Sequence, residues 1–159
     1  MDQDTVIRLR RVVLRLARQL HAASADEGLT PTQASVLGIT AGRGPLSLAE
    51  LIEIEGLNPT MLSRVVGKLD SFGLIRRLRD PDDSRAARVE VTPEGQRTYQ
   101  RISTQRAAII SEAVAGLSPD QEAALTATLP ALEKLAEDLR AAVRRSRVQP
   151  VPDEYTGRA

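Results

Sequence analysis

The chain has 159 residues, a length typical of one domain. Its 22 Lys and Arg residues against 21 Asp and Glu residues leave a formal net charge of +1, which excludes a uniformly basic protein. The absence of Cys excludes disulfides, thiolate nucleophiles and Cys-ligated metals. No apolar run approaches the roughly 18 residues of a membrane span, and no signal peptide is visible. We therefore expect a soluble, cytoplasmic protein with no membrane partner.

Enzyme chemistry finds little support in the composition. The single His, His21, has no nucleophile motif such as G-x-S-x-G in the same chain. The Asp80, Asp82 and Asp83 cluster lacks the Gly and the distal Glu of a calcium-binding loop. We expect no enzymatic activity, no cofactor and no metal site.

Helix starts are marked by capping residues that precede Pro, as at Thr30-Pro31, Asn58-Pro59 and Thr92-Pro93. Pro suits the first position of a helix because its missing N–H would have no partner there. These signals, together with the apolar periodicity, predict six helices. They span residues 4–25, 31–41, 47–55, 59–72, 93–115 and 119–146.

Residues 74–79 and 88–92 interrupt the helical pattern. Both segments are short and contain β-branched or alternating residues, and a turn-forming Asp-Pro sequence separates them, so they predict a β-hairpin. Within the last helix, Pro130 predicts a kink or a break, because its ring clashes with the carbonyl of Thr126. The tail at 147–159 is expected to be disordered.

The helix at 59–72 has two faces when its residues are placed about 100° apart. One face presents Thr60, Ser63, Arg64 and Lys68. The opposite face is expected to pack, and it comprises Met61, Leu62, Val65, Val66, Leu69 and Phe72.

A second short helix precedes this one, and Gly56-Leu57-Asn58 joins the two. Two short helices around a Gly-containing turn are typical of a helix-turn-helix, whose second helix enters the DNA major groove. Arg64 then offers two donors to a guanine. An amphipathic helix can equally be an ordinary surface helix. The basic hairpin that follows favours the nucleic-acid interpretation, since helix, turn, helix, hairpin is the order of a winged helix-turn-helix.

The segment from Ser47 to Gly95 resembles the MarR (multiple-antibiotic-resistance regulator) family, and the resemblance extends over about residues 5–146. Its elements are Leu48-Ala49, Leu69 to Gly73, Gly73-Leu74-Ile75-Arg76-Arg77, Asp83-Ser84-Arg85 and Val91-Thr92-Pro93-Glu94-Gly95.

The resemblance implies a mainly α fold with a small β-hairpin (α+β). A winged helix-turn-helix lobe at 30–92 would be flanked by dimerisation helices at 4–25 and 93–146, in a single domain at 1–146. From their pattern alone, the wide apolar stripes of the terminal helices fit either an intramolecular core or a dimer interface.

The function implied by the resemblance is that of a transcriptional regulator, with repression favoured over activation. A homodimer would bind pseudo-palindromic double-stranded operator DNA, with Arg85 in the minor groove and Asp83 orienting it. A small-molecule effector would release the DNA, with Arg18 and His21 as its expected contacts. The expected DNA-binding residues are Ser47, Asn58, Pro59, Thr60, Ser63, Arg64, Lys68, Arg79, Asp83 and Arg85.

An alternative is a winged-helix module that binds another protein through the same surface. Arg64 and Lys68 favour DNA, because a protein interface needs buried aromatic or aliphatic anchors. Residues 58–79 also hold five bases against one acid, Asp70, so the neutral total hides a locally basic segment.

Overall fold

The helices begin where the capping residues stand. The computed structural model describes residues 1–79 and 87–148. Thr30 and Ser47 each form a reciprocal capping box, with Gln33 and Glu50 respectively. The elements in chain order are α1 (Gln3–Ala25), α2 (Pro31–Arg43), β1 (Leu46–Ser47), α3 (Leu48–Glu55), α4 (Pro59–Ser71), β2 (Ile75–Arg79), β3 (Ala87–Val91), α5 (Pro93–Ala115) and α6 (Pro119–Val148).

The mainly helical fold with a small sheet is confirmed. All six predicted helices are present, and their ends lie within two residues of the expected ones. This agreement follows from local chemistry, because a side-chain oxygen that accepts a backbone N–H fixes a helix start without help from tertiary packing.

The sheet has three strands where the sequence predicts a two-stranded hairpin. The strands β2 and β3 pair antiparallel, with Ile75 opposite Val91 and Arg79 opposite Ala87. On the other side of β3, the two-residue strand β1 places Leu46 opposite Val89, so the order is β1-β3-β2. Residues 80–86, which hold the predicted turn and the expected DNA contacts Asp83 and Arg85, lie outside the described residues.

The break expected at Pro130 does not occur, because α6 runs as one helix from Pro119 to Val148. Pro removes one N–H from the hydrogen-bond ladder. Helix propagation is cooperative, so a helix of 30 residues tolerates that loss. A kink without a break stays a prediction. The helix also takes in Arg147 and Val148 of the expected tail, and 149–159 lie outside the described residues.

The chain divides into two compact units, Met1–Gly116 and Leu117–Ala159. The core lies in the first unit, and α2, α3, α4, the sheet and the first half of α5 all contribute to it. We call these packed elements the winged lobe. A single domain over 1–146 therefore stays a prediction. No helix in the ranges 1–79 and 87–148 is both long and apolar enough to cross a bilayer. The core residues are Leu29, Ala34, Val36, Leu37, Leu46, Leu51, Leu62, Val65, Val66, Leu69, Leu74, Ile75, Val89 and Ile102.

A close backbone contact positions the first turn of α5. At Gly95, an added Cβ would lie 1.9 Å from the carbonyl oxygen of Leu74. Beside it, the N–H of Thr92 donates to that same oxygen at 3.0 Å, and the Thr92 hydroxyl donates to the carbonyl of Gly73 at 2.6 Å. The start of α5 is thereby held against the segment between α4 and β2.

Replacement of this glycine tests the contact. Gly95→Ala should lower the free energy of unfolding by about 1–3 kcal/mol, because the methyl group forces the two backbones apart. Urea denaturation measures the change. Gly42→Ala is the matched control, since Gly42 is also helical and an added Cβ there meets nothing within 4 Å. Equal stability of the two variants would contradict the close contact.

Candidate nucleic-acid interface

The helix-turn-helix is built from α3, α4 and the short turn between them. Gly56 ends α3 with a φ of 65°, a left-handed conformation that Gly adopts without the strain of a Cβ. Its N–H donates to the carbonyl of Ile52 at 2.8 Å. The chain therefore leaves α3 in a defined direction and enters α4 three residues later.

Asn58 and Pro59 set the start of α4. The Asn58 Oδ1 atom accepts the N–H of Met61 at 2.8 Å, and Pro59 occupies the first helical turn. These two expected DNA contacts are thus structural caps as well. The amide nitrogen of Asn58 is not needed for the cap, so a second partner can still use it.

One face of α4 is buried and the other is exposed. Leu62 is 1% exposed, whereas Thr60, Ser63, Arg64 and Lys68 are all exposed. The placement of Met61 and Phe72 on the packing face is wrong, since these side chains are 46% and 45% exposed. Helical angle alone puts both near the apolar arc, but the lobe does not extend far enough to cover them.

The exposed start of α4 brings five of the expected DNA contacts together. Thr60 and Arg64 line two open depressions. In the first, of about 480 Å³, they are joined by Pro59 and Ser63. The second measures about 540 Å³, and its other residues are Gln33, Asn58, Met61 and Val65.

The remaining expected contacts lie outside this cluster. Lys68 stands further along α4, with its ammonium 4.6 Å from the centroid of the Phe72 ring. Arg79 ends β2. Ser47 caps α3: its hydroxyl donates to the Glu50 carboxylate at 2.8 Å and accepts the Glu50 N–H at 3.2 Å. The hydroxyl of Ser47 is therefore already engaged within the chain.

Acidic partners neutralise part of the basic segment. On the sheet, Arg76 lies directly opposite Glu90, and its Nε donates to that carboxylate at 2.6 Å. Arg77 approaches the Asp70 carboxylate at 3.8 Å.

Arg64, Lys68 and Arg79 differ from these bases. Within the part of the chain that the structure describes, no carboxylate lies within ion-pairing distance of them. Within residues 58–79, the positive charge without a described acidic partner therefore lies on α4 and at the end of β2.

The expected effector contacts, Arg18 and His21, lie exposed on α1. A groove of about 440 Å³ separates α2 from α5, and neither residue lines it. Its polar lining includes Arg43, Tyr99 and Arg106. The described residues form no cluster of three His, Cys, Asp or Glu side chains that could hold a metal.

Hydrogen bonds tie the turn that follows α1 to α5. Arg101 donates to both carboxylate oxygens of Glu27, at 2.8 and 2.9 Å, and so holds the pKa of this carboxyl below its ordinary value. Gln105 donates to the Asp26 carboxylate at 2.6 Å. Since α5 is anchored to the winged lobe at its first turn, these bonds link the lobe to the turn that follows α1.

The sequence does not identify two residues that lie beside Thr60 and Arg64, namely Gln33 and Met61. The capping box of Thr30 accounts for Gln33 in the sequence, since its Oε1 accepts the Thr30 N–H at 2.8 Å, so nothing in the sequence indicates its place beside α4. Met61 is hidden by its apolar character. A test for apolar residues at the edge of the buried arc, rather than at its centre, would single out Met61.

Replacement of Asn58 tests its structural role as the cap of α4. Asn58→Ala should lower the free energy of unfolding by about 1 kcal/mol, because the Met61 N–H loses its acceptor. Asn58→Asp should keep the stability, since a carboxylate caps equally well. Ser63→Ala, at an exposed position inside the same helix, is the control. Thermal or urea denaturation measures all three, and an unaffected Asn58→Ala would argue against the cap.

The winged lobe coincides with the region that matches a known family. The family model described as the MarR family matches residues 29–87. YkoM, an uncharacterized HTH-type transcriptional regulator of Bacillus subtilis, is 31% identical over 99 residues, which are 62% of this chain and 64% of that protein. The chain thus aligns with slightly less than two thirds of that relative.

Two further relatives extend the likeness. MdtR, an HTH-type transcriptional repressor of Bacillus subtilis, is 24% identical over 79% of this chain and 83% of its own length. A crystal structure of a probable transcriptional regulator from Pseudomonas aeruginosa superposes with a TM-score of 0.62. It is 33% identical and covers 82% of this chain and 97% of its own. The winged lobe, the family match at residues 29–87 and these relatives together identify the family. The chain belongs to the MarR family of winged helix-turn-helix transcriptional regulators.

Proposed function

We propose that the protein regulates transcription by binding a specific, pseudo-palindromic operator as a homodimer, and that it acts as a repressor. The observation that carries this proposal is the exposed N-terminal end of α4. There Thr60, Ser63 and Arg64 stand together on a helix whose opposite face is buried. The N-terminal residues of a recognition helix are those that reach base edges in the major groove.

The side chains at this end suit the major groove. Arg64 can donate two parallel hydrogen bonds to the O6 and N7 atoms of a guanine. The hydroxyls of Thr60 and Ser63 both donate and accept, so they suit either base edges or phosphates. Lys68 and Arg79 then contact the phosphate backbone on either side. Arg85, oriented by Asp83, is proposed to enter the minor groove.

Exposed apolar surface on the terminal helices supports the homodimer. Leu14 and Leu16 of α1 are 58% and 59% exposed, and Leu139 of α6 is 54% exposed. Apolar stripes of this kind are covered in a stable protein, and none of their residues joins the core of the winged lobe. A second copy of the chain is the cover that we propose. A two-fold dimer places its recognition helices about 34 Å apart, one turn of DNA.

Repression and release are the finer parts of the proposal. Repression draws support from the name of the relative MdtR, a transcriptional repressor. A small anionic or aromatic effector is proposed to release the DNA. The groove between α2 and α5 offers the guanidinium group of Arg43 to such a ligand. Arg18 and His21, which do not line this groove, stay as predicted contacts.

The competing function is a module that binds another protein through α4. Apart from Pro59 and the buried Val65, the exposed start of this helix has one apolar side chain, Met61, among polar neighbours. Protein interfaces depend on clusters of buried aromatic or aliphatic anchors, which this surface does not provide within the described residues. The chemistry of α4 therefore favours DNA.

A binding titration tests the DNA-binding proposal. Purified protein should shift its own upstream DNA in preference to a random duplex, and the affinity should fall steeply with salt because bound cations leave the phosphates. Arg64→Ala should lose about 1–3 kcal/mol of binding free energy and discriminate less between operator and random DNA.

The control for this titration is Arg97→Ala. It removes the same charge from α5, where Arg97 pairs with Glu94 at 2.7 Å. This variant should bind as the unchanged protein does. Binding that is insensitive to salt, or an Arg64→Ala variant with full affinity and selectivity, would favour the protein-binding alternative.

The dimer is tested at α1. Leu16→Glu should convert the protein to a monomer, because a carboxylate in the apolar interface would lose its hydration. Analytical ultracentrifugation measures the mass, and circular dichroism should show an unchanged helix content, since Leu16 lies outside the lobe core. Phe72→Glu, at an exposed apolar side chain that caps the end of α4, should leave the mass unchanged. A dimeric Leu16→Glu variant would place the interface elsewhere.

A further inference from the structure

Met61 lies at the N-terminal end of α4, where the proposed function places the residues that contact DNA bases. It is the third residue of α4 and is 46% exposed, whereas its neighbour Leu62 is 1% exposed. The lobe core therefore does not account for this apolar side chain. The Met61 N–H is already bonded to the Asn58 cap, so the side chain is the part of the residue left for a partner.

Apart from Val65, the other residues that line the depression around Met61 are polar. Met61 shares this open depression of about 540 Å³ with Thr60 and Arg64 of its own helix and with Gln33 of α2. Residues three positions apart lie side by side on a helix surface, so Met61 and Arg64 are neighbours on this edge of α4. A contact that Arg64 makes with one base would bring Met61 close to an adjacent base.

An apolar side chain has one specific partner on the edges of DNA bases in the major groove. That partner is the C5-methyl group of thymine, which cytosine lacks. Methionine is unbranched and polarisable, so it adapts to the position of such a methyl group without a preformed pocket. Met61 would thereby contribute discrimination that hydrogen bonds from Arg64 do not provide.

We propose that Met61 is a specificity-determining residue, which packs against the C5-methyl group of a thymine next to the base that Arg64 contacts. The proposal rests on the proposed function, since it assumes that α4 enters the major groove. It adds a residue and a base feature that the polar face of α4 does not include.

A coupling experiment tests the contact. Each thymine of one operator half-site is replaced in turn by deoxyuridine, which differs only in the missing C5-methyl group, and affinities are measured for the full-length protein and for Met61→Ala. At one position the unchanged protein should lose about fourfold in affinity, the factor that corresponds to one buried methyl group. At that position, the change from thymine to deoxyuridine should not lower the affinity of Met61→Ala. At other positions, the same change should lower the affinities of Met61→Ala and of the unchanged protein by the same factor.

Two variants sharpen the result. Met61→Leu should retain the sensitivity to deoxyuridine, because it keeps an apolar side chain of similar volume. Phe72→Ala removes an equally exposed apolar side chain at the opposite end of α4, and it should also retain the full sensitivity. Circular dichroism confirms that each variant is folded before its affinity is measured.

The outcomes distinguish this proposal from the one on which it rests. If the unchanged protein binds its operator but no thymine shows an effect that depends on residue 61, the thymine contact is wrong and DNA binding stands. If the unchanged protein binds no DNA sequence in preference to random duplex, both proposals fail. A Met61→Ala variant that loses affinity equally with thymine and deoxyuridine would also overturn the contact.

Discussion

The orientation of α4 depends on the burial of its apolar face. Leu62, Val66 and Leu69 are at most 1% exposed, and each such side chain stabilises the lobe by about 1.5–3 kcal/mol. Rotation of α4 about its axis would expose these groups, so the helix has a single stable setting. That setting decides which side chains face outward, and it places Thr60 and Arg64 on the surface. The proposed reading of DNA is thus a consequence of how the lobe packs, since the polar face is outward only because the apolar face is fully covered.

The caps of the two helices serve the same end at a smaller scale. Ser47 and Asn58 each satisfy a backbone N–H at the start of a helix, and both also belong to the expected DNA contacts. These roles are compatible because a cap fixes where the helix begins and, with it, where the following side chains stand. Arg64 can meet a base edge only if the start of α4 is fixed to within a fraction of a turn. Hydrogen bonds within the chain therefore fix the position of the side chains that are proposed to contact DNA.

Local chemistry explains what could be predicted from the sequence. Helix starts follow from a capping residue next to Pro, and these were correct because the bonds join residues three positions apart. The strand β1 was missed, since two residues carry no periodicity and Leu46 pairs with Val89 only after the chain folds back. The exposure of Met61 depends on how far the winged lobe extends along α4. The angular position of a residue on the helix does not predict this. The prediction of a break at Pro130 was wrong. It considered only the hydrogen bond that Pro removes and not the cooperativity of a long helix.

Long-range pairing also changes the meaning of the charge. The excess of bases between Asn58 and Arg79 is counted along the chain, but the Arg76 side chain meets Glu90 on the neighbouring strand. An ion pair of this kind lies at the surface and adds little stability, yet it lowers the charge that the sheet presents to a polyanion. Within this segment, the bases left without a described acidic partner lie on α4 and at the end of β2. In the proposed complex with DNA, the paired bases of this segment would release fewer counterions. Contacts that depend on sequence would then contribute a larger share of the binding free energy of this segment.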